Sequence, residues 1–183
     1  MELTEKTLTQ EYKYKGRIIN MRFDTAELPD GNICSREVVE HNGGVTVCAV
    51  NENKEIYLVK QFRYPYMEIV TETPAGKLEK GEDHFEAGKR ELEEEAGIIA
   101  ENFTFLGKFY PTPGYCGEII YLYCATGLKS TKQHLDEDEF LNLEIIPLDD
   151  AIEKILSGKI PDGKTQAVVL RTAMMIEKGQ IKY

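Results

Sequence analysis

Residues 76–98 read GKLEKGEDHFEAGKRELEEEAGI, and the reading of this stretch decides the fold. Asp83 is placed to cap a helix, and Glu86 three residues later stands where a capping box puts its acid. Gly97 supplies the stop, so the spacing predicts a helix over His84 to Ala96. Phe85, Gly88, Leu92 and Ala96, three or four apart, form its expected buried stripe. Glu91 and Glu95 are one turn apart with Glu94 beside them, and Glu79, Glu82 and Asp83 crowd the preceding loop. Like charges at these spacings each cost a few tenths of a kcal/mol. A surface helix can carry such a run as a solvated acidic face. The other reading is a hard divalent cation, which prefers oxygen ligands and neutralises the cluster.

Upstream, Tyr12 to Ile19, Met21 to Leu28 and Ile33 to Val39 read as strands, with Pro29-Asp30-Gly31-Asn32 as a hairpin turn. A meander of short strands is barely self-sufficient, so it must pack on its own chain or on a second subunit. The expected division is a small β-subdomain over 1–40 and a larger domain over 41–183. Val45 to Val50 and Ile56 to Phe62 are apolar, β-branched runs joined by a polar turn, which predicts a core hairpin. Arg63 ends the second of these strands beside Tyr64, Pro65 and Tyr66. It is either a surface cation or a substrate-facing one.

Downstream, Phe103 to Tyr110 and Glu118 to Ala125 read as strands around PTPGYCG, residues 111–117. Residues 133–140, QHLDEDEF, form a second acidic cluster, which is a solvated loop unless it serves a site. Leu141 to Ile146 is a further strand. Asp149 to Leu156 and Lys164 to Ile176 are amphipathic helices punctuated by Gly158 and Pro161-Asp162-Gly163. Ile152, Ile155, Leu156, Val168, Val169 and Met175 are their expected core faces.

The formal net charge is −10 over 183 residues, and no basic stripe is evident, which argues against a nucleic-acid binder. An acidic protein still binds an anionic substrate where metals and placed arginines reverse the local field. Cys34, Cys48, Cys116 and Cys124 are scattered without metal-type spacing, and reduced thiols are expected. No segment resembles a secretion signal, and no apolar run approaches a membrane span, so a soluble, cytoplasmic protein is expected. His41, His84 and His134 are far apart and are not read as ligands. No Ser-His-Asp arrangement, GxGxxG or P-loop is present.

Gly76, Glu82, Arg90-Glu91, Leu92, Glu94-Glu95, Gly97 and Ile98 stand at the spacing of the Nudix box, and the stretch resembles it at every defined position. Seven fixed identities at ordinary frequencies coincide by chance at roughly 10⁻⁸ per start position. The resemblance implies an α/β protein: an α/β/α sandwich with a mixed sheet, here preceded by a small antiparallel β-subdomain. It also implies hydrolysis of a nucleoside diphosphate linked to a further group, with divalent metal bound at the box. Glu91, Glu94 and Glu95 would be metal ligands, Glu91 and Glu95 catalytic through them, and the Ala75 carbonyl a further ligand. Glu82 and Arg90 would brace the loop on the helix, with Gly76 and Gly97 as structural glycines.

Pro113, followed by Glu118, resembles the ADP-ribose pyrophosphatase subgroup, which implies substrate contacts for both. The same likeness makes Arg63 a phosphate clamp and Arg36 a contact for the adenosine half. It makes Glu137 the general base and Glu139 a further metal ligand on a mobile loop. The neighbouring Asp136 and Asp138 leave the register of the base open by one or two places. The expected reaction is hydrolysis of ADP-ribose to AMP and ribose 5-phosphate with Mg²⁺, or Mn²⁺ in its place. The alternatives are another nucleoside diphosphate sugar such as GDP-mannose, a dinucleotide, or a module that senses ADP-ribose without cleaving it. The intact box disfavours the last, since a sensor needs no full set of carboxylates. The expected assembly is a homodimer with the 8–40 sheet crossing onto its partner, where Arg36 would complete the neighbour's adenosine pocket.

Overall fold

The computed structural model describes residues 2–137 and 139–183. Contacts divide the chain into two compact units, residues 1–43 with 110–119, and residues 44–109 with 120–183.

The first unit is an antiparallel meander of β1 (Lys6–Lys15), β2 (Ile19–Glu27) and β3 (Ile33–His41), in that order across the sheet. The expected turn closes β2 to β3. Leu28 N–H donates to Asn32 O at 2.8 Å, and Gly31 takes φ +86°, a conformation that suits glycine. The strand β1 begins six residues earlier than its aromatic run suggests, because it pairs back to Glu27. It is exposed along its whole length. The buried acid of this unit is Asp24, which accepts from Arg22 Nε at 2.9 and 3.0 Å. The PTPGYCG segment adds to the open edge of β3: Val39 N–H donates to Tyr115 O at 2.8 Å and Gly117 N–H to Val39 O at 2.9 Å.

The second unit is an α/β sandwich with a mixed sheet. Its strands β4 (Gly44–Ala49), β7 (Ala75–Lys77), β8 (Ile98–Phe109) and β9 (Ile120–Ser130) align as β7-β4-β9-β8, with β4 and β9 parallel and the other pairs antiparallel. A second sheet runs β10-β5-β6, from β5 (Glu55–Arg63), β6 (Glu68–Glu72) and β10 (Leu141–Pro147). Every residue of β4 is buried, as expected of a strand covered on both faces. Val45, Val47 and Ala49 pack with Leu92 and Ala96 of helix α1 (His84–Ala96). On the opposite face Cys48 and Val50 pack with helix α2 (Leu148–Leu156) and helix α3 (Gly163–Glu177), through Ile155, Val168 and Val169.

Two expectations are corrected here. The Val45–Val50 and Ile56–Phe62 runs keep their turn, but they share only the bridge Val50–Ile56 and part into different sheets. A run that is apolar at every position does not say which neighbour it pairs with. Leu156 faces solvent, at 77% exposure, while Ile160 beyond the Gly158 turn is buried. The α2 helix is nine residues long and Leu156 is its last, so the chain turns away before that side chain can reach the core.

Candidate functional site

The helix α1 starts and stops as its caps dictate. Asp83 accepts from the backbone N–H of Phe85 at 2.9 Å and of Glu86 at 3.3 Å. Gly97 sits in the left-handed region at φ +62°. There its N–H reaches back to Glu93 O, and its bare Cα lets the 131–133 segment pass: a Cβ would meet Gln133 N at 3.0 Å and Thr131 O at 3.1 Å. This passing segment closes the helix end. Thr131 N–H donates to Gly97 O at 2.7 Å, His134 N–H to Glu94 O at 3.0 Å and the Gln133 amide to Glu95 O at 2.5 Å. The acidic run that follows is therefore rooted on the same helix end as the box glutamates.

The buried face of α1 holds two carboxylates with the apolar stripe. Ala87, Gly88, Leu92 and Ala96 are buried, and so are Glu91 and Glu95, at 7% and 2% exposure. A Cβ at Gly76 would land on the Glu91 carboxylate, so only glycine leaves room for it. Burial, opposed in part by Arg90, pushes the Glu91 carboxyl up to about 7; the charges of Glu94 and Glu139 add to it. Burial likewise pushes Glu95 up to about 8 against the hydrogen bond from Ala75 N–H, and Glu91 and Glu139 add their repulsion. Each unit of such a shift represents about 1.4 kcal/mol of disfavour for the ionised form. Glu139 thus lies within charge range of both box acids.

Arg90 binds the loop to the helix. Its guanidinium donates to Glu82 at 3.0 and 3.2 Å and to Glu94 at 2.8 Å, and lies 2.8 Å from Glu91. Partial burial works against its charge, but the bonds to Glu82 and Glu94 and the charge of Glu91 outweigh this and hold its pKa above the ordinary value. Among the described residues, the acids as they stand do not converge three at a time on one point. Glu91 and Glu94 are turned onto Arg90, and Glu95 accepts from Ala75 N–H at 2.8 Å. The donor set is all oxygen, largely desolvated and mutually repelling, which fits a hard divalent cation.

Arg63 is engaged. Its Nε and Nη2 form a two-pronged bond with Glu72 at 2.7 Å each, and among the described residues its Nη1 makes no hydrogen bond. Burial raises the cost of the Glu72 charge, but Arg63 and Lys164 hold the carboxyl below its ordinary pKa. Lys164, from the first turn of α3, also bonds to Glu72 and lies 3.1 Å from Asp162. Neither Glu72 nor Lys164 was legible as a site residue, because their partners come from β5 and α3. A glutamate two residues before Pro74-Ala75-Gly76 was the available signal.

In the acidic run, Glu139 N–H donates to Asp136 O at 3.0 Å. Glu137 is exposed and Glu139 half-buried; Asp138 lies outside the described residues. In the first unit, Arg36 is exposed and paired with Glu5 at 2.6 and 3.0 Å. Glu118 lies 3.3 Å from His41 Nδ1, which accepts from Gly43 N–H, and Pro113 sits in the loop that flanks β3.

The profile described as NUDIX domain matches residues 40–167. The chain belongs to the Nudix hydrolase family. A second profile, described as nucleoside diphosphate sugar hydrolase N-terminal domain, matches residues 5–39. Among the relatives of this Nudix chain is an ADP-ribose pyrophosphatase from Bacillus subtilis (strain 168), 40% identical over 96% of this chain and 98% of that protein. A methanol dehydrogenase activator from Bacillus methanolicus is 43% identical over 90% of both chains. A crystal structure of an ADP compounds hydrolase superposes with TM-score 0.85 over 99% of this chain and 100% of that one, at 20% identity. That last likeness supports the Nudix fold. No helix of the described residues is long and apolar enough to cross a membrane.

Proposed function

We propose that this Nudix chain hydrolyses ADP-ribose to AMP and ribose 5-phosphate, using Mg²⁺, with Mn²⁺ in its place, and that it does so as a cytoplasmic homodimer. The observation that carries the reading is the pair of buried acids, Glu91 and Glu95, on the box helix of a chain that is similar over nearly its full length to an ADP-ribose pyrophosphatase. Burying two like charges side by side is costly, and a bound cation offsets that cost.

Glu91, Glu94 and Glu95 would hold the metal, with the Ala75 carbonyl and Glu139. A divalent ion held there would supply charge neutralisation for the diphosphate and a lowered pKa for the attacking water. Glu137, which is exposed, takes the water's proton as the new O–P bond forms. The bridging P–O bond breaks, and its electron pair leaves with the departing phosphate. Arg63, fixed by Glu72 along one edge, offers its Nη1 to a phosphate oxygen. Arg36, Pro113 and Glu118 are the remaining substrate-contacting residues. In the expected swapped homodimer, Arg36 serves the partner's adenosine.

A panel of nucleoside diphosphate sugars and dinucleotides with Mg²⁺, ranked by kcat/KM, tests the assignment. ADP-ribose is expected to rank first. A higher kcat/KM for GDP-mannose or for a dinucleotide would overturn the substrate, and no turnover of any member would overturn the enzyme.

A further inference from the structure

The peptide unit joining Pro74 to Ala75 is gripped at both ends. Its carbonyl accepts from Val47 N–H at 2.9 Å and from the Thr46 hydroxyl at 3.1 Å. Its N–H donates to Glu95 Oε2 at 2.8 Å. The two donors on the oxygen fix the plane of the peptide, and so fix where its N–H points.

The Thr46 hydroxyl does not act alone. It lies 2.7 Å from the Thr73 hydroxyl, which lies 3.2 Å from the Thr165 hydroxyl; Thr165 Oγ1 also accepts from Thr73 N–H at 2.9 Å. Either oxygen of each pair can donate in principle, but the carbonyl of Pro74 only accepts. The single proton of Thr46 is therefore committed to Pro74, Thr73 must donate to Thr46, and Thr165 must donate to Thr73. The chain runs one way, from α3 through the end of β6 to β4 and into the peptide that holds Glu95. All three threonines are fully buried, at 0% exposure, so water cannot replace a missing link. Hydrogen bonds in series polarise one another, and each one strengthens the N–H at the far end.

We infer that Thr46 is a positioning residue for Glu95: acting through the Pro74–Ala75 peptide, it sets the orientation of that carboxylate as a cation ligand. Thr73 and Thr165 hold Thr46 in its donating rotamer. The inference rests on the reading of Glu95 as a metal ligand. A residue that orients a ligand from behind typically changes metal affinity about 10- to 100-fold when it is lost.

The test is Mn²⁺ affinity, read by electron paramagnetic resonance of free Mn²⁺, for wild type, Thr46→Val, Thr46→Ser and Glu95→Gln. Thr46→Val should weaken Mn²⁺ binding about 10- to 100-fold. Thr46→Ser, which keeps the hydroxyl and loses only the methyl, should restore it to within about threefold, since a methyl makes no bond to the peptide. Equal losses in Thr46→Val and Thr46→Ser would show that packing alone is at work and would overturn the inference. So would an unchanged Kd in Thr46→Val beside a weakened Glu95→Gln. If Glu95→Gln also binds Mn²⁺ like wild type, the reading of the site itself falls instead. Thr46→Ala removes the same hydroxyl with less steric demand and carries the test where Thr46→Val does not fold. A second readout needs no metal: the Ala75 amide should exchange its hydrogen faster in Thr46→Val than in Thr46→Ser, and equal rates would overturn the proposal.

Discussion

Replacing Glu95 by glutamine should stabilise the metal-free protein while crippling the enzyme. The Glu95 carboxyl is raised to about 8 in the folded chain from an ordinary 4.5, first by burial and then by its acidic neighbours. Between those values the native state holds a proton that the unfolded chain has released, so raising the pH favours unfolding. The effect is absent below about pH 4.5 and complete above about pH 8. Converted at about 1.4 kcal/mol per unit, the shift bounds the cost near 5 kcal/mol at pH 8. Relaxation and the coupling to Glu91 reduce what one substitution recovers, to about 2–4 kcal/mol. Glutamine keeps an oxygen to accept from Ala75 N–H, so the hydrogen bond survives. For a chain of this size that gain corresponds to a rise in Tm of roughly 4–16 °C.

The assay is thermal unfolding in EDTA at pH 8 and pH 5.5. Glu95→Gln should exceed wild type at pH 8, and the gap should shrink at pH 5.5, where wild-type Glu95 is already protonated. Adding Mg²⁺ should raise the wild type more than the variant, because cation binding favours the native state. At saturating Mg²⁺, kcat of the variant should fall by orders of magnitude while KM moves less. A variant less stable than wild type at pH 8 without metal, or a gap independent of pH, would refute the account of two buried, repelling acids.

The general base is tested by Glu137→Gln, which should lower kcat about 10²–10⁴-fold with Mn²⁺ affinity nearly intact. Asp136→Asn should be mild, and the reverse ranking would place the base elsewhere in the run. Glu72→Gln leaves Arg63 and Lys164 facing each other without their shared anion. Discounted for the partly exposed Arg63, it should cost about 2 kcal/mol, a fall in Tm of roughly 4–8 °C; an unchanged midpoint would make that cluster energetically idle. Light scattering should find a dimer at micromolar concentration, and a fully active monomer there would rule out the swapped assembly.

Local signals carried the parts of this protein whose partners are local. Asp83 and Gly97 mark the ends of α1 because capping acts within three residues, and both ends fall where the sequence puts them. The turn at 29–32 is legible for the same reason. The acids of the box were visible as a charge cluster, but their burial was not. A glutamate in a Glu-rich run looks the same whether it faces water or the space that Gly76 leaves open. The structure of the site behind that helix was out of reach altogether. Thr46 meets Thr73 across 27 residues, and both Thr73 and Glu72 find their α3 partners 92 residues away. Each of these residues, read alone, is an ordinary strand or helix-start residue. They acquire a role only when β4, β6 and α3 are brought together, which burial of apolar faces such as Val50, Val168 and Val169 accomplishes without reference to the polar atoms carried along. The apolar pattern therefore specifies the fold, while the hydroxyl chain and the Arg63–Glu72–Lys164 cluster are conditions that the fold then imposes on the few polar residues inside it. Leaving any one of them unpaired in that interior costs about 1–3 kcal/mol, so the site is rigid where it is most hidden.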